Sequence, residues 1–433
     1  MTAGPRPGYR ASKQTLRRRS VKIAVVGLGY VGYALAVLAR SKGFEVIGVD
    51  KDERVLAKIR KGTYQIEDRF IASVQERGQI DCTSRPCKAD VFIVCVPTPV
   101  TGGEIPDLQS LVESVHDISR VLADGNTVVI ESTIYPGVCR EIVKPILDKA
   151  GRKYQLAHCP ERVNPGDDRW NVQNIPRVLG GIDHASTIAA SAFYRSIIDA
   201  EILPLSQIEA AEATKILENT FRDINIAFIN EMAKSFYRLR IDISEVIRGA
   251  STKPFGFLAH YPGAGVGGHC IAIDPYYMIA KGRSVGFDHE FLKLARRINR
   301  TMPAYVFSLV QEALNEREIS VRGTRIAVLG ISYKPNVIDD RESPSYDLIE
   351  ILKKWGAILT IYDPYHPDKS NAKDLEDALS KVTCAVIATA HDEFRKNMDA
   401  YRSVQVLVDG RNCLDKRYFS QRGALYKGVG IFE

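Results

Sequence analysis

The segment VKIAVVGLGYVGYALAVLARSKGFEVIGVD, from Val21 to Asp50, limits more than any other what this chain can become. An unbroken apolar run leads into glycines, then into an amphipathic stretch of helical spacing, then into a second apolar run ending on a carboxylate. Strands without in/out alternation must be covered on both faces, as in parallel sheets flanked by helices. The pattern predicts a βαβ unit. Gly27, Gly29 and Gly32 fit G-x-G-x-x-G at the junction of strand and helix. The first glycine permits the tight turn, the second lets a pyrophosphate reach the backbone, and the third lets helix and strand approach. Asp50 lies 18 residues beyond Gly32. There its carboxylate can accept from both ribose hydroxyls and repel a 2′-phosphate, favouring NAD over NADP. A purely structural role for the set is the alternative.

The rest of the chain extends this reading. ADVFIVCVPTP and NTVVIESTIYPG read as further buried parallel strands, each ending in a Pro- or Thr-containing loop at the edge where open α/β sheets bind ligands. From Ser206, SQIEAAEATKILENTFRDINIAFINEMAKSFYRLR has no Pro or Gly and recurs at helical spacing. A second helical run, about Asp288 to Glu318, carries Pro303 as a kink or restart. Gly323 opens a new strand, GTRIAVLGISYKP, followed by ILTIYDP, CAVIATA and VQVLVDG. The expected class is α/β: two doubly wound Rossmann-like domains joined by a long central helix. The expected divisions are a basic tail over 1–20, a nucleotide domain over 21–205, a helical domain over 206–320 and a second α/β domain over 321–433.

The net charge of +7 is carried by the first 22 residues, where Arg6, Arg10, Lys13, Arg17, Arg18, Arg19 and Lys22 meet no acidic residue. The remaining body is formally neutral, which argues against a nucleic-acid surface. The tail reads as a disordered arm, with an anion- or membrane-binding arm as the alternative. No apolar run approaches the roughly 18 residues of a membrane span, and the tail lacks a signal-sequence core, so a cytoplasmic protein without membrane insertion is expected. Eight cysteines are scattered without Cys-x-x-Cys pairs, and the histidines show no metal-ligand spacing. Buried thiols and no metal are expected, with one exception.

That exception is Cys270, in Gly265-Val266-Gly267-Gly268-His269-Cys270-Ile271-Ala272-Ile273-Asp274-Pro275. The glycines fill no core volume and suit a backbone that comes close to a bulky polar ligand while presenting a thiol. A reactive thiolate needs a cationic partner to lower its pKa. Lys215 and Asn219 stand one helical turn apart and could hold an alkoxide or oxyanion; a solvated helix face is the alternative. In HCPERVNPGDD, His158 and Cys159 are adjacent and so rarely converge, which leaves Glu161 as the candidate base for a water.

Taken in order, GLGYVG, VPTP, ESTIYPG, CPER, the EATKILENTFRDINIAFINE helix, GVGGHCIAIDP and SYKPNVIDDRESPS resemble the UDP-glucose/GDP-mannose dehydrogenases. The resemblance implies oxidation of the C6 alcohol of a nucleotide sugar to a carboxylate with two NAD, for polysaccharide biosynthesis. It also implies a C-terminal domain for the UDP part and a homodimer through the central helix. Under it, Cys270 is the nucleophile, Lys215 and Asn219 the oxyanion or alkoxide partners, Asp274 an aid to proton handling, and Glu161 with Thr133 the pair that positions water. Tyr30, Val31, Asp50, Arg54, Thr98, Thr133 and Arg341 join the glycines around NAD. Arg162, Gly267 and Lys334 join Glu161, Lys215 and Asn219 around the UDP-sugar. The segment DKDERV is one residue shorter than the usual family form, which sets Arg54 apart. His269 before the cysteine, with TKPFGFLAHYPG upstream, resembles the branch acting on UDP-N-acetylglucosamine. UDP-N-acetylmannosamine and UDP-glucose are the alternative sugars; a single-step hydroxy-acid dehydrogenase and a non-catalytic nucleotide-sugar binder are the alternative functions.

Overall fold

The computed structural model describes residues 21–64, 69–75, 79–101, 105–164, 169–268 and 270–432. The basic tail and His269 lie outside the described residues. Eight strands form the first sheet: β1 (Lys22–Val26), β2 (Glu45–Val49), β3 (Asp81–Thr83), β4 (Val91–Val94), β5 (Thr127–Ile130), β6 (Gln155–His158), β7 (Arg177–Gly181) and β8 (Ile202–Pro204). Their order is β3-β2-β1-β4-β5-β6-β7-β8, and the first six run parallel in the arrangement of dinucleotide-binding folds. The apolar runs explain the layering. Ile23 and Val25 point into one core while Ala24 and Val26 point into the core on the opposite face. Both faces are covered, as the missing alternation requires.

β7 breaks the pattern, for it pairs antiparallel with β6. A strand that reverses direction starts where its neighbour ends. The first residue of β7, Arg177, therefore lies at the same sheet edge as the end of β6 and the loop carrying Glu161.

The second sheet holds β9 (Arg325–Leu329), β10 (Ile358–Tyr362), β11 (Cys384–Ile387), β12 (Val406–Asp409) and β13 (Leu425–Gly428), all parallel in the order β10-β9-β11-β12-β13. The long helix between the sheets runs Ile208–Arg238 and stops where Arg240 turns left-handed at φ 60°. The second helical run is two helices, Glu290–Arg300 and Met302–Glu316, with Pro303 in the first turn of the latter, so the proline marks a restart. Met302, Val306, Phe307, Leu309, Val310, Ala313 and Leu314 of that helix join the core of the second sheet. A division at 320 thus cuts across this packing. Two shorter helices, Ile243–Ala250 and Asp274–Ser284, lie between the long helix and Glu290–Arg300.

Candidate active site

At the N-terminal end of the first sheet's leading helix, Tyr30–Ser41, the glycines have separable roles. Gly27 sits at φ +90°, and a Cβ on Gly32 would lie 1.9 Å from the Gly27 carbonyl oxygen, so these two permit the turn and the helix contact. A Cβ on Gly29 would meet nothing within 4 Å, which leaves the helix end open to a ligand. Gly29 is the cap residue, and no acidic side chain occupies the first turn. An anion there meets the bare positive end of the helix. Asp50 is tied down by the Leu28 N–H at 2.8 Å and the Asp52 N–H at 2.9 Å. Each carboxylate oxygen keeps a lone pair for a ribose hydroxyl. These residues fit NAD. Tyr30 and Val31 are half-buried in the first turn. Arg54 turns back on Asp52, donating through Nε at 3.0 Å and Nη2 at 2.8 Å.

Thr98, expected at the cofactor, is buried and committed to the protein. Its hydroxyl donates to the Thr133 carbonyl at 2.7 Å, and its own carbonyl accepts from the Tyr277 hydroxyl. The hydroxyl proton is therefore not free for a ligand. The contact joins the VPTP loop, the Thr133 loop and the Asp274–Ser284 helix. From the long helix, Glu212 accepts from the Gly137 N–H at 2.6 Å and the Cys139 N–H at 2.8 Å, which fixes the far end of the Thr133 loop.

Cys270 lies four residues before Asp274, the first residue of that helix, and its carbonyl accepts from the Asp274 N–H at 2.8 Å. The residue is solvent-accessible, yet the surrounding protein is dense enough that burial is the largest force on its thiol. Lys215 and Arg341 pull the thiol pKa down, while Asp274 and Glu161 push it up. The balance is a raised value. The cationic partner expected from the sequence is present, but desolvation and two carboxylates outweigh it, so the resting group is a thiol.

Lys215 and Asn219 do not face open solvent. Lys215 is half-buried, and although burial opposes its charge, Cys270, Glu161 and Asp274 hold its pKa above the ordinary value. Asn219 donates through Nδ2 to Asp274 Oδ2 at 2.6 Å. Asp274 is 1% exposed, and burial raises its pKa to about 6 against the pull of Lys215 and Asn219. Glu161 is buried as well, one oxygen accepting from the Val163 N–H and lying 4.0 Å from Arg177. Arg162 pairs with Glu218 on the long helix, between Lys215 and Asn219.

The glycines of the cysteine loop answer to a protein neighbour. A Cβ on Gly267 would fall 2.5 Å from the Glu342 carbonyl oxygen, and one on Gly268, at φ +83°, would fall 2.6 Å from the Tyr333 ring. The Gly268 N–H also donates to the Arg341 carbonyl at 3.1 Å. Their smallness seats the loop on the C-terminal domain, where the sequence suggested approach to a ligand. Lys334 crosses from the same domain to Asn164 beside the Glu161 loop, 2.7 Å away. Arg341 forks onto Asp339 at 2.9 and 2.6 Å. Cys270, Lys215, Asn219, Asp274 and Glu161 thus meet where three parts of the chain join, with Thr133, Lys334 and Arg341 at the margins. Among the described residues, no group of three or more His, Cys, Asp or Glu gathers as a metal site, and no helix is long and apolar enough to cross a membrane.

Three residues under the site were not singled out from sequence: Arg177, Glu131 and Tyr194, all buried. Their only signal is an arginine opening the apolar run RVLGG and a glutamate closing TVVIE.

Comparison with known proteins identifies the family. Models of the UDP-glucose/GDP-mannose dehydrogenase family match its NAD binding domain over residues 21–198, its central domain over 209–301 and its UDP binding domain over 327–416. A UDP-N-acetyl-D-glucosamine 6-dehydrogenase from Pseudomonas aeruginosa is 36% identical over 425 residues, covering 92% of this chain and 98% of its own. A UDP-N-acetyl-D-mannosamine dehydrogenase from Pyrococcus horikoshii is 34% identical, covering 95% of this chain and 99% of its own. A solved structure of UDP-D-ManNAc dehydrogenase from that organism superposes with a TM-score of 0.87 at 34% identity, again covering 95% and 99%.

Proposed function

The chain belongs to the UDP-glucose/GDP-mannose dehydrogenase family and is an NAD-dependent UDP-sugar dehydrogenase, and from that premise we propose that it oxidises UDP-N-acetylglucosamine at C6 to the uronate through a thioester on Cys270. The observation that carries this reading is the meeting of Cys270 with Lys215, Asp274 and Glu161 within electrostatic reach of one another.

Bound NAD supplies the hydride acceptor for both oxidations. Lys215 holds the developing C6 alkoxide, where one well-placed donor contributes on the order of 10²–10³ in rate. Asp274 takes a proton: with a pKa of about 6 it is mostly ionised near neutrality yet basic enough to accept. Because the resting Cys270 is a thiol, its attack on the aldehyde needs a base: Asp274, having passed the C6 proton on to water, takes the thiol proton and returns it to the sulfur when the thioester is hydrolysed. Attack forms the C–S bond of a thiohemiacetal, and loss of the second hydride leaves the thioester. Glu161 then accepts a proton from the attacking water, a C–O bond forms, the C–S bond breaks and the thiol is regenerated. Without sulfur a free aldehyde would escape between the two oxidations.

UDP-N-acetylmannosamine is the second reading, supported by the mannosamine relative and its superposable structure. The two sugars differ at C2, remote from the groups that handle C6. The test is a panel of UDP-glucose, UDP-N-acetylglucosamine, UDP-N-acetylgalactosamine and UDP-N-acetylmannosamine with NAD, reading product mass and NADH per substrate. Acid from the glucosamine sugar with two NADH is expected. Preference for the mannosamine sugar moves the assignment to the second reading, and one NADH per substrate removes the thioester.

The same reading makes the enzyme a homodimer. Leu217, Phe221 and Phe228 share one face of the long helix and are exposed, as are Phe291 and Leu294 on its neighbour. An apolar stripe of this kind marks an interface. Sedimentation of the intact protein as a monomer would rule it out.

A further inference from the structure

Beneath Glu161 lies a charge that the chemistry above does not use. Arg177 is 0% exposed, and it opens the reversed strand β7 at the ligand edge of the sheet. Its Nη1 lies 3.4 Å from Glu131 Oε2 and its Nη2 lies 4.0 Å from Glu161 Oε1. Glu131 is held from its other side by the Tyr194 hydroxyl, which donates to Oε1. Nε and Nη2 of Arg177 make no hydrogen bond. A buried guanidinium with two idle donors is held there by charge, between two carboxylates.

On the Glu161 side the arrangement is lopsided. Oε1 takes both the Val163 N–H and the pull of Arg177, while Oε2 has no protein hydrogen bond among the described residues. One oxygen is fixed and the other is left for water.

We infer that Arg177 is a positioning residue for hydrolysis: it pins Oε1 of Glu161 so that Oε2 faces the thioester carbonyl, with Glu131 and Tyr194 holding the guanidinium from below. This rests on the reading of Glu161 as the base of the hydrolytic step. The groups that act on Glu161 or its neighbours are Cys95 from the end of β4, Glu131 from the end of β5, Cys159 from its own loop, Arg177 from β7, Lys215 from the long helix, and Cys270 and Asp274 from the cysteine loop and its helix. Arg177 and Lys215 are the cations in that set. Lys215 is drawn most strongly by Cys270, which leaves Arg177 to fix the carboxylate from behind. The role is confined to one step. Both hydride transfers are complete before water attacks, so loss of Arg177 spares them and delays release of the acid.

The test compares Arg177→Lys and the charge-balanced pair Arg177→Met/Glu131→Gln with the parent and with Glu161→Gln, using the intact enzyme, NAD and the best sugar of the panel. The expected result for both Arg177 variants is a burst of two NADH per site at the parental rate, then a steady rate reduced at least about tenfold. Intact-protein mass should show the acyl group on Cys270. Hydroxylamine, which attacks a thioester without a protein base, should restore turnover and yield the hydroxamate. A purely structural role would slow burst and steady rate together, leave Cys270 unmodified and resist hydroxylamine; either that outcome or unchanged turnover overturns the proposal. If Glu161→Gln itself accumulates no acyl-enzyme, the base assignment fails instead, which separates the two readings.

Discussion

Asp274→Asn should make this protein more stable and a poorer catalyst, and the gain should grow with pH. A carboxylate 1% exposed with its pKa lifted from 3.8 to about 6 is one whose ionised form the fold disfavours. Because the folded-state value lies above the unfolded one, the folded protein keeps the proton longer. Stability is therefore fully present below about pH 4 and is lost as pH rises through about 6. The loss amounts to about 3 kcal/mol at about 1.4 kcal/mol for each tenfold change. Roughly half of it falls between about pH 5 and pH 8, an added advantage to the asparagine of about 1.4 kcal/mol. For domains of this size that is a widening gap in Tm of roughly 3 to 5 °C. Asparagine keeps an oxygen to accept from Asn219. The assay is differential scanning fluorimetry of both proteins in one buffer series, beside kcat at each pH. A gap that stays flat across the series, or an asparagine variant less stable at about pH 8, would refute the reasoning.

Cys270→Ala should abolish acid formation and leave NAD affinity within about twofold, since the thiol lies in a different loop from the Gly27–Asp50 turn; product mass and a cofactor titration check both. Lys215→Ala should slow the first hydride transfer at least about 10²-fold in a single turnover. An unchanged rate would return Lys215 to a spectator on the helix. Gly268→Ala should cost activity more than fold content, because its new Cβ meets the Tyr333 ring at 2.6 Å and φ +83° is strained for alanine. Circular dichroism close to parental with activity down at least about tenfold is expected, and full activity would argue that the loop moves freely.

Local patterns in this sequence carry the layers and the cofactor turn because each is decided within a few residues. Strands buried on both faces must be apolar throughout, and the Gly27–Gly32 turn tolerates no Cβ at its crowded points. Long-range effects were not legible. The reversal of β7 depends on how the chain returns from residue 169 to 177, and it alone brings Arg177 under the site. The cysteine loop shows glycines without saying what they approach; only the folded chain reveals Tyr333, Glu342 and Pro344 there. The pKa of Cys270 is likewise a sum over groups from four segments. A nearby lysine, readable in principle, does not reveal that burial and two carboxylates outweigh it.

The thiol belongs to neither Rossmann-like unit. Tyr333 and Pro344 of the second unit seat the loop before Cys270, while Tyr277, seven residues after it in the following helix, is fastened to Thr98 of the first. Catalysis is thereby made contingent on both halves being docked at once. Either half expressed by itself would lack one of the two anchors of the cysteine loop and be inert.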